Sequence, residues 1–453
     1  MSSLTQFIEV DYSRFFSDSK EIVHLLEKET DLKRMLEIVY NVVKKADKKI
    51  YLIIDEYDHF ANDIIAMGDS EYYQKIIQAS GFVRDFYETL KIGTKSVIDK
   101  IFITGISPIM LDDLTSGFNI TMNITMEPLT NEMLGFTDEE IDQIINRVKI
   151  DLEQISQIKV QLKEYYNGYL FNEECKKRVY NPDMVLYYFD QLLRYNKLPR
   201  ELITDNVKTD YGRLDRLTRN QENRKTLEKI ILNEGIITKI VSKFSFDRIF
   251  EQEYFISLLF YMGLLTINGT KYGLLQLGIP NYVIKTIYWE YIEKKLREDY
   301  KINYDLVELQ KVVWQMAYDG KLEPFLKFIT ENVLNILSNR DMIKFNEKYL
   351  KVILFSYLVL SNLYKPTSEK EVEGGYIDIF LEKDIRFSDV KYEWLWELKY
   401  LKKNDTEQLE QVKEEGLRQL KKYAESKKFK NKGNLKLALI IFIGKDEYVL
   451  VMP

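Results

Sequence analysis

Hydrophobic and polar positions alternate with a period of two at residues 375–381, which is the pattern of a β-strand. The strand faces predicted by this alternation are Tyr376, Asp378 and Phe380 on one side, and Ile377, Ile379 and Leu381 on the other. Glu397 and Lys399 lie two residues apart in a second apolar segment and therefore share a face. The polar residues 382–389 join the two segments, so the pattern predicts an antiparallel β-hairpin on which Asp378, Glu397 and Lys399 converge.

A helical period follows this hairpin. The apolar residues that recur at helical spacing are Leu409, Val412, Gly416, Leu420 and Tyr423. They predict a helix whose apolar face packs on the hairpin. The next apolar segment, Leu435–Ile443, predicts a buried strand that closes the sheet.

Two further apolar segments occur in the N-terminal half, at residues 49–58 and 100–107. The first is a continuous apolar run that ends in acidic residues, which is typical of a buried parallel strand whose carboxylates emerge at the carboxyl edge of a sheet. A helical stretch around residues 86–90 separates the two strands. The pattern predicts an α/β sheet, and ligands bind at the edge where Asp55 and Glu56 lie.

The middle of the chain, residues 138–198, has a helical pattern, with turns at residues 165–169 and 181–182. Residues 254–266 predict a buried helix that leads into a short hairpin turning at Asn268 and Gly269. This order is winged-helix-like, and such a module either binds DNA or packs against an ATPase core. The arginines upstream form a phosphate patch or a solvated face; they are Arg213, Arg216, Arg219 and Arg224.

Composition narrows the class of protein. A chain of 453 residues predicts two to three domains, and 45% hydrophobic with 30% charged residues is typical of a soluble globular protein. No segment offers the ~18 uncharged apolar residues that a membrane helix needs. The N-terminus has no basic-plus-apolar signal sequence. We therefore expect a cytoplasmic protein with no membrane partner.

Residue counts exclude several kinds of site. The one cysteine, Cys175, excludes an internal disulfide and a cysteine-clustered metal site, and two histidines, His24 and His59, argue against histidine triads and multi-histidine metal sites. The net charge of −6 argues against coating nucleic acid by overall charge. A local basic run beside the hairpin either tracks a phosphate backbone or only solubilises the surface; its members are Lys421, Lys422, Lys427, Lys428, Lys430, Lys432 and Lys436.

The chemistry predicted for the hairpin is metal-dependent phosphodiester hydrolysis. Asp378 and Glu397 supply carboxylate oxygens suited to Mg²⁺ or Mn²⁺, which keeps positions open for water and a phosphate. Lys399 can orient the nucleophile or stabilise the charge that develops on phosphorus. The alternative is a solvated carboxylate–lysine ion pair, worth roughly 0–1 kcal/mol.

These residues resemble the PD-(D/E)xK nuclease superfamily, whose core is an acid on one strand and (D/E)-x-K on the next. The resemblance assigns Asp378, Glu397 and Lys399 to that core. It also implies an acidic residue on a preceding helix, which Glu347 fits, and a following helix that carries Gln419 and Tyr423.

A second resemblance spans nearly the whole chain, to AAA-ATPase-like proteins with a C-terminal PD-(D/E)xK domain. The matching segments are residues 53–58, 104–108, 114–119, 165–169 with 180–182, and 277–281. The resemblance implies that Asp55 orders Mg²⁺ and that Glu56 activates water. It places a sensor of the terminal phosphate of the nucleotide at Thr104 and Ser107.

One difference between this sequence and the AAA-ATPase-like family limits what can be inferred about ATPase activity. The family begins with a phosphate-binding loop, G-x-x-x-x-G-K-[ST], but this sequence has no glycine before Gly68 and no later match to that loop. Residues 7–12 resemble the strand after that loop's helix, which predicts a chain that starts late. We therefore do not expect autonomous ATP hydrolysis. We expect an uncovered sheet edge or face, so that this half either binds a protein partner or a second copy or is marginally stable.

The predicted fold class is α/β. It comprises an incomplete P-loop-ATPase-like parallel sheet at 1–135, a helical and winged-helix-like region at 136–300, and a PD-(D/E)xK nuclease-like domain at 301–453. The predicted function is Mg²⁺-dependent cleavage of nucleic acid. The alternatives are a non-catalytic interaction scaffold and an ATP-regulated switch whose P-loop lies in a missing segment.

Overall fold

The computed structural model describes residues 12–14, 17–58, 82–106, 108, 120–148, 152–195, 198–199, 201–203, 213–242, 248, 251–337, 346–368, 370–372 and 375–453. Helices and strands are both present throughout, so the predicted α/β class is confirmed. Ser107 and the segments 7–11 and 114–119 lie outside the described residues.

The N-terminal part is a small parallel sheet with helices. Its elements are α1 (Ser19–Lys28), α2 (Leu32–Lys45), β1 (Ile50–Ile54), α3 (Phe82–Gly93) and β2 (Ile98–Ile103). β1 pairs with β2 in parallel, as predicted. Asp31 begins α2 as its cap, because its Oδ1 accepts from the backbone N–H of Lys33 at 2.8 Å.

One prediction for β1 is wrong, because the strand is buried on one face only. Tyr40 on α2 and Leu90 on α3 belong to the core that covers that face. Tyr51 and Ile53 lie on the opposite face and are 59% and 63% exposed. An apolar run without alternation does not reveal whether a second layer covers the sheet.

The middle region is helical with one small antiparallel sheet. Its helices are α4 (Asp138–Val148), α5 (Leu152–Tyr166), α6 (Pro182–Tyr195), α7 (Arg213–Leu217), α8 (Gln221–Asn233), α9 (Gln252–Tyr261) and α10 (Tyr282–Tyr300). Its strands are β3 (Gly235–Thr238), β4 (Thr266–Lys271) and β5 (Leu274–Gly278), in the order β3-β5-β4. Helix α8, β3, α9 and the β4–β5 hairpin follow the winged-helix-like order that the sequence predicts.

The predicted turn of this hairpin is wrong. The chain turns at Tyr272 and Gly273, whose φ angles are 57° and 73°, between the paired residues Lys271 and Leu274. Two positive φ angles are what a tight two-residue hairpin turn requires. Gly269, with φ 134°, instead lies at a register shift within β4.

The C-terminal part contains a five-stranded mixed sheet in the order β12-β11-β10-β9-β6. Its helices are α11 (Leu306–Trp314), which continues as a π-helical turn (Gln315–Asp319), α12 (Glu323–Asn332), α13 (Glu347–Leu358) and α14 (Leu409–Ala424). Its strands are β6 (Tyr364–Thr367), β7 (Lys370–Val372), β8 (Gly375–Ile377), β9 (Ile379–Lys383), β10 (Glu393–Leu401), β11 (Leu435–Ile443) and β12 (Glu447–Val451).

Strand β10 organises this sheet. It pairs antiparallel with β9, which confirms the predicted hairpin, and parallel with β11. Trp394 and Trp396 face the main core and are fully buried. Leu395 faces the other side, where Leu420 and Tyr423 of α14 cover the sheet, as the helical spacing predicts. Strand β11 is buried as predicted but lies inside the sheet, because β12 pairs with its outer edge.

The strand predicted at residues 375–381 is interrupted at Asp378. A bend there separates β8, which pairs with β7, from β9. Ile377 therefore packs on the α14 side, together with Phe380, whereas Ile379 packs into the main core. The prediction that Ile377 and Ile379 share a face is wrong, because the bend resets the alternation.

Polar side chains join the middle region to the hairpin. Lys365 of β6 is 8% exposed and pairs with Glu164 of α5 and with Glu382 of β9, the latter at 2.9 Å. Arg386 donates to both carboxylate oxygens of the buried Asp384 at 2.8 Å. Asp384 also accepts from the Tyr165 hydroxyl of α5 at 3.5 Å. Since breaking a buried ion pair is costly, the pair of Lys365 with Glu164 and this hydrogen bond hold the hairpin against α5. The domain boundaries given above stay predictions.

Among the helices of the described residues, none combines the length and the apolar character needed to cross a membrane.

Gly168 has a conformation and a location that favour glycine. Its φ is 115°, and an added Cβ would lie 2.0 Å from the carbonyl oxygen of Pro280. Asn281 Nδ2 donates to the carbonyl oxygen of the neighbouring Asn167 at 3.0 Å, so two of the sequence segments named above pack against each other here.

We predict that Gly168→Ala lowers the free energy of unfolding by about 2–4 kcal/mol, since both backbone strain and a steric clash result. Urea unfolding followed by circular dichroism measures this change. Gly433→Ala is the control, because an added Cβ there meets no atom within 4 Å. Equal stability of the two variants would contradict the prediction.

Candidate active site

Strand β10 places Glu397 and Lys399 on the face covered by α14, because residues two apart in a strand share a face. The Glu397 side chain is 3% exposed and that of Lys399 is 21% exposed. Lys399 Nζ lies 2.7 Å from Glu397 Oε1. The lysine therefore neutralises one oxygen of a carboxylate that is buried within the sheet.

Asp378 joins this pair from the bend between β8 and β9. Its Oδ2 accepts a hydrogen bond from the backbone N–H of Leu398 at 3.1 Å and lies 3.9 Å from Lys399 Nζ. The bend that interrupts the strand thus directs Asp378 toward β10. The structure brings together the three charges that the sequence predicts to converge.

Glu347 is the first residue of α13, which Asn346 caps by accepting from the backbone N–H of Tyr349 at 3.0 Å. Burial raises the pKa of Glu347, and the nearby charge of Lys399 opposes that rise. The backbone N–H of Tyr400 is close enough to its carboxylate to favour the charged form and lower its pKa. Glu347 therefore lies in the same electrostatic cluster.

Helix α14 contributes Tyr423, which is 8% exposed. Burial raises the pKa of its hydroxyl, and the negative charges of Glu397 and Asp378 raise it further. Gln419 precedes Tyr423 by one helical turn and lies on the same side of the helix. Its Oε1 is buried, and no hydrogen bond joins that atom to another described residue. The described contacts thus place Tyr423, but not Gln419, beside the carboxylates.

Glu397 differs from the other acids of the cluster in how strongly its pKa is raised. Burial raises its pKa to about 7, the charge of Asp378 adds to the rise, and the hydrogen bond from Lys399 opposes it. Glu397 Oε2 is buried and accepts no hydrogen bond from any described residue. For Lys399, burial alone lowers the pKa, but Glu397 and the other acids raise it overall.

The donor set fits a small dication that retains water ligands. No group of three or more metal-binding side chains occurs among the described residues. Mg²⁺ is commonly held by one or two carboxylates and keeps several waters, which matches the pair Asp378 and Glu397. The unpartnered Glu397 Oε2 is the atom that such an ion would satisfy.

Two of the N-terminal candidate residues, Asp55 and Thr104, contact each other. The Thr104 hydroxyl donates to Asp55 Oδ1, and the Thr104 backbone accepts from the N–H of Tyr57 at 3.0 Å. Glu56 follows with a φ of 51°. Sequence analysis assigned no role to Asp58, which is 1% exposed and accepts from the backbone N–H of Ile106 at 3.1 Å. The sequence feature that could have identified Asp58 is its position as the third acidic residue after the apolar run.

The lysines of the basic run and the arginines near α8 have different neighbours. Lys432 pairs with Glu393 at 2.5 Å, while Lys428 Nζ lies 5.8 Å from the ring centroid of Phe380. Arg224 pairs with Glu228 at 3.0 Å and with Asp299. A phosphate patch that relies on Arg224 is therefore not supported.

The raised pKa of Glu397 predicts how stability depends on pH. The folded state holds this proton up to about pH 7, whereas the unfolded chain loses it near 4.5. Metal-free protein therefore loses stability as pH rises from about 4.5 to about 7, and the loss is constant above that range. We expect Glu397→Gln to remove this loss, which is on the order of 3 kcal/mol.

Chemical unfolding in EDTA across this pH range measures the effect. The control is Glu410→Gln, whose side chain is 77% exposed. Parallel pH profiles for wild type and Glu397→Gln would contradict the prediction.

Comparison with known protein families agrees with this geometry. Residues 345–451 match the model of the PD-(D/E)XK nuclease superfamily, and residues 1–115 match that of a predicted AAA-ATPase. No curated protein matches the chain. The five C-terminal candidates, Glu347, Asp378, Glu397, Lys399 and Gln419, fall inside the first match. The chain thus combines an AAA-ATPase-like segment with a C-terminal domain of the PD-(D/E)XK nuclease superfamily.

Proposed function

We propose that the C-terminal domain hydrolyses phosphodiester bonds of nucleic acid and uses Mg²⁺, or Mn²⁺ in its place. Asp378 and Glu397 hold the ion, and Lys399 is the catalytic cation. The observation that carries this proposal is the buried, unpartnered Glu397 Oε2 beside a second carboxylate and a lysine.

A bound dication would supply a Lewis acid for the phosphate and lower the pKa of a water. The side chains of the protein supply the other catalytic contributions. Lys399, released from part of its pairing with Glu397, orients the attacking water or neutralises charge on the phosphate oxygens. Glu347 adds a third carboxylate near Lys399 and Asp378. Gln419 lies on the same side of α14 as Tyr423 and is a supporting candidate.

Cleavage of labelled single- and double-stranded DNA and RNA tests this proposal directly. We expect cutting in Mg²⁺ or Mn²⁺ and none in EDTA. Asp378→Asn and Lys399→Ala should each lower the rate by about 100-fold or more, because each removes charge stabilisation at the reacting phosphate. Asn keeps an oxygen that accepts from Leu398, so the variant should fold.

Asp446→Asn is the matched control, since this exposed carboxylate pairs with Lys403 at the surface of the same domain. Its rate should equal that of wild type. Undiminished cutting by Asp378→Asn would contradict the assignment. No cutting by folded wild type would favour a non-catalytic scaffold instead.

Mg²⁺ binding gives a readout that does not depend on activity. An ion that binds only the folded protein stabilises it by about 2.7 kcal/mol at about 100 times its Kd. We expect Mg²⁺ to raise Tm in wild type and to have little effect on Glu397→Gln, while Asp446→Asn behaves as wild type. An equal rise in Tm for Glu397→Gln would place the ion elsewhere.

A role for the N-terminal segment in protein contacts is the second proposal. The exposed Tyr51 and Ile53 support it, because they place two large apolar side chains on one open sheet face. A protein partner or a second copy of the chain would cover them. Analytical ultracentrifugation of wild type beside Tyr51→Lys distinguishes self-association from a monomer that needs another partner.

The nucleotide role of Asp55, Glu56, Thr104 and Ser107 also stays a proposal. Nucleotide binding that appears only with an added partner would favour the ATP-regulated switch. Tight ATP binding by the chain alone would instead favour an autonomous ATPase.

A further inference from the structure

Aromatic and lysine side chains form a surface at the start of β10, on the sheet face opposite Glu397 and Lys399. We call it the aromatic–lysine surface; its members are Trp314, Tyr318, Lys391, Tyr392 and Lys436. They come from three separate parts of the sequence, so the fold alone brings them together. The basic run noted in the sequence supplies only Lys436.

The centre of the surface is Tyr392, immediately before β10. The Nζ atoms of Lys391 and Lys436 each lie 4.9 Å from the centroid of its ring. Neither lysine pairs with a carboxylate among the described residues, so both charges are available to a phosphate backbone. Tyr392 precedes Glu397 by five residues, about 16 Å along an extended strand.

One end of the surface is an exposed aromatic pair. Trp314 is 50% exposed, and its ring stacks on that of Tyr318 at 4.8 Å with an interplanar angle of 28°. The Tyr318 hydroxyl donates to Asp389 at 2.8 Å, which fixes the ring beneath the tryptophan. The indole is therefore oriented before any ligand arrives.

Backbone hydrogen bonds join this pair to the lysines. The N–H groups of Lys391 and Tyr392 donate to the carbonyl oxygen of Ala317, at 3.1 and 2.9 Å. Ala317 lies in the π-helical turn that connects Trp314 to Tyr318. The aromatic pair and the lysine pair are thus held against one another on one part of the surface.

We infer that the aromatic–lysine surface binds the nucleic acid substrate as a single strand. The inference rests on the proposed function and names its substrate class. A lysine contacts the phosphates of single-stranded and duplex nucleic acid alike. An exposed aromatic face, in contrast, stacks only on an unpaired base. Trp314 is the feature that favours a single strand, because a base within a duplex is already stacked on both sides.

The carboxylates next to this surface are already engaged. Asp389 accepts from Tyr318, and Glu393 pairs with Lys432 at 2.5 Å. Lys432 neutralises Glu393, whereas Asp389 keeps its charge because the Tyr318 hydroxyl is neutral. Two lysines without a carboxylate partner among the described residues, Lys391 and Lys436, therefore face one such carboxylate.

Binding to the full chain in EDTA tests the inference apart from cleavage. The probes are labelled DNA and RNA single strands of about 20 nucleotides, longer than common site sizes, and the matching DNA duplex. We expect Trp314→Ala to weaken single-strand binding by about 5- to 100-fold, as loss of one stacked base predicts, and to leave duplex binding unchanged. The paired substitution Lys391→Ala with Lys436→Ala should weaken every probe and reduce the salt dependence.

Tyr272→Ala and Lys327→Ala are the matched controls. Tyr272 is 85% exposed on the β4–β5 turn, and Lys327 is 67% exposed on α12. Both should bind as wild type. Unchanged single-strand binding by Trp314→Ala, preference for the duplex, or no binding of any probe would overturn the inference.

The binding test and the cleavage test can have different outcomes, because they address different proposals. Wild type that binds single strands through Trp314 but cuts none would overturn only the proposed function. Wild type that cuts nucleic acid with no dependence of binding on Trp314 would overturn only this inference.

Discussion

The burial of Glu397 is the constraint on which the C-terminal domain depends. β10 lies between two other strands, and α14 covers its charged face, so only about 3% of the Glu397 side chain is exposed to water. A buried charge is tolerated only when it is paired or neutralised. Lys399 satisfies one oxygen, and no residue in the described part of the chain donates to the second. The pKa of Glu397 accordingly rises to about 7.

Apolar packing holds this strained arrangement in place. Trp394 and Trp396 anchor the opposite face of β10 in the main core. On the near side, α14 approaches closely at Gly416, where an added Cβ would lie 2.6 Å from Leu439 Cδ1. This close contact lets Tyr423 reach the acids. Stability in the apolar layers thus offsets a polar cluster that the folded protein would not otherwise favour.

Residues near one another in sequence made much of this domain predictable. Glu397 and Lys399 are two apart, and the helical spacing that ends in Leu420 and Tyr423 revealed the apolar face of α14. Features that depend on distant residues were not predictable. The bend at Asp378 and the exposed face at Tyr51 depend on which other elements pair with or cover those strands. The stacking of Trp314 on Tyr318 beside Lys436 likewise required the fold.

The measurement that tests this account most directly is a crystal structure of the chain with Mn²⁺, located by its anomalous scattering. The account predicts one peak within about 2.5 Å of carboxylate oxygens of both Asp378 and Glu397, with the remaining positions taken by water. It also predicts that Lys399 Nζ moves away from Glu397. The account would be contradicted by a well-ordered site with no peak, in which Lys399 still contacts Glu397.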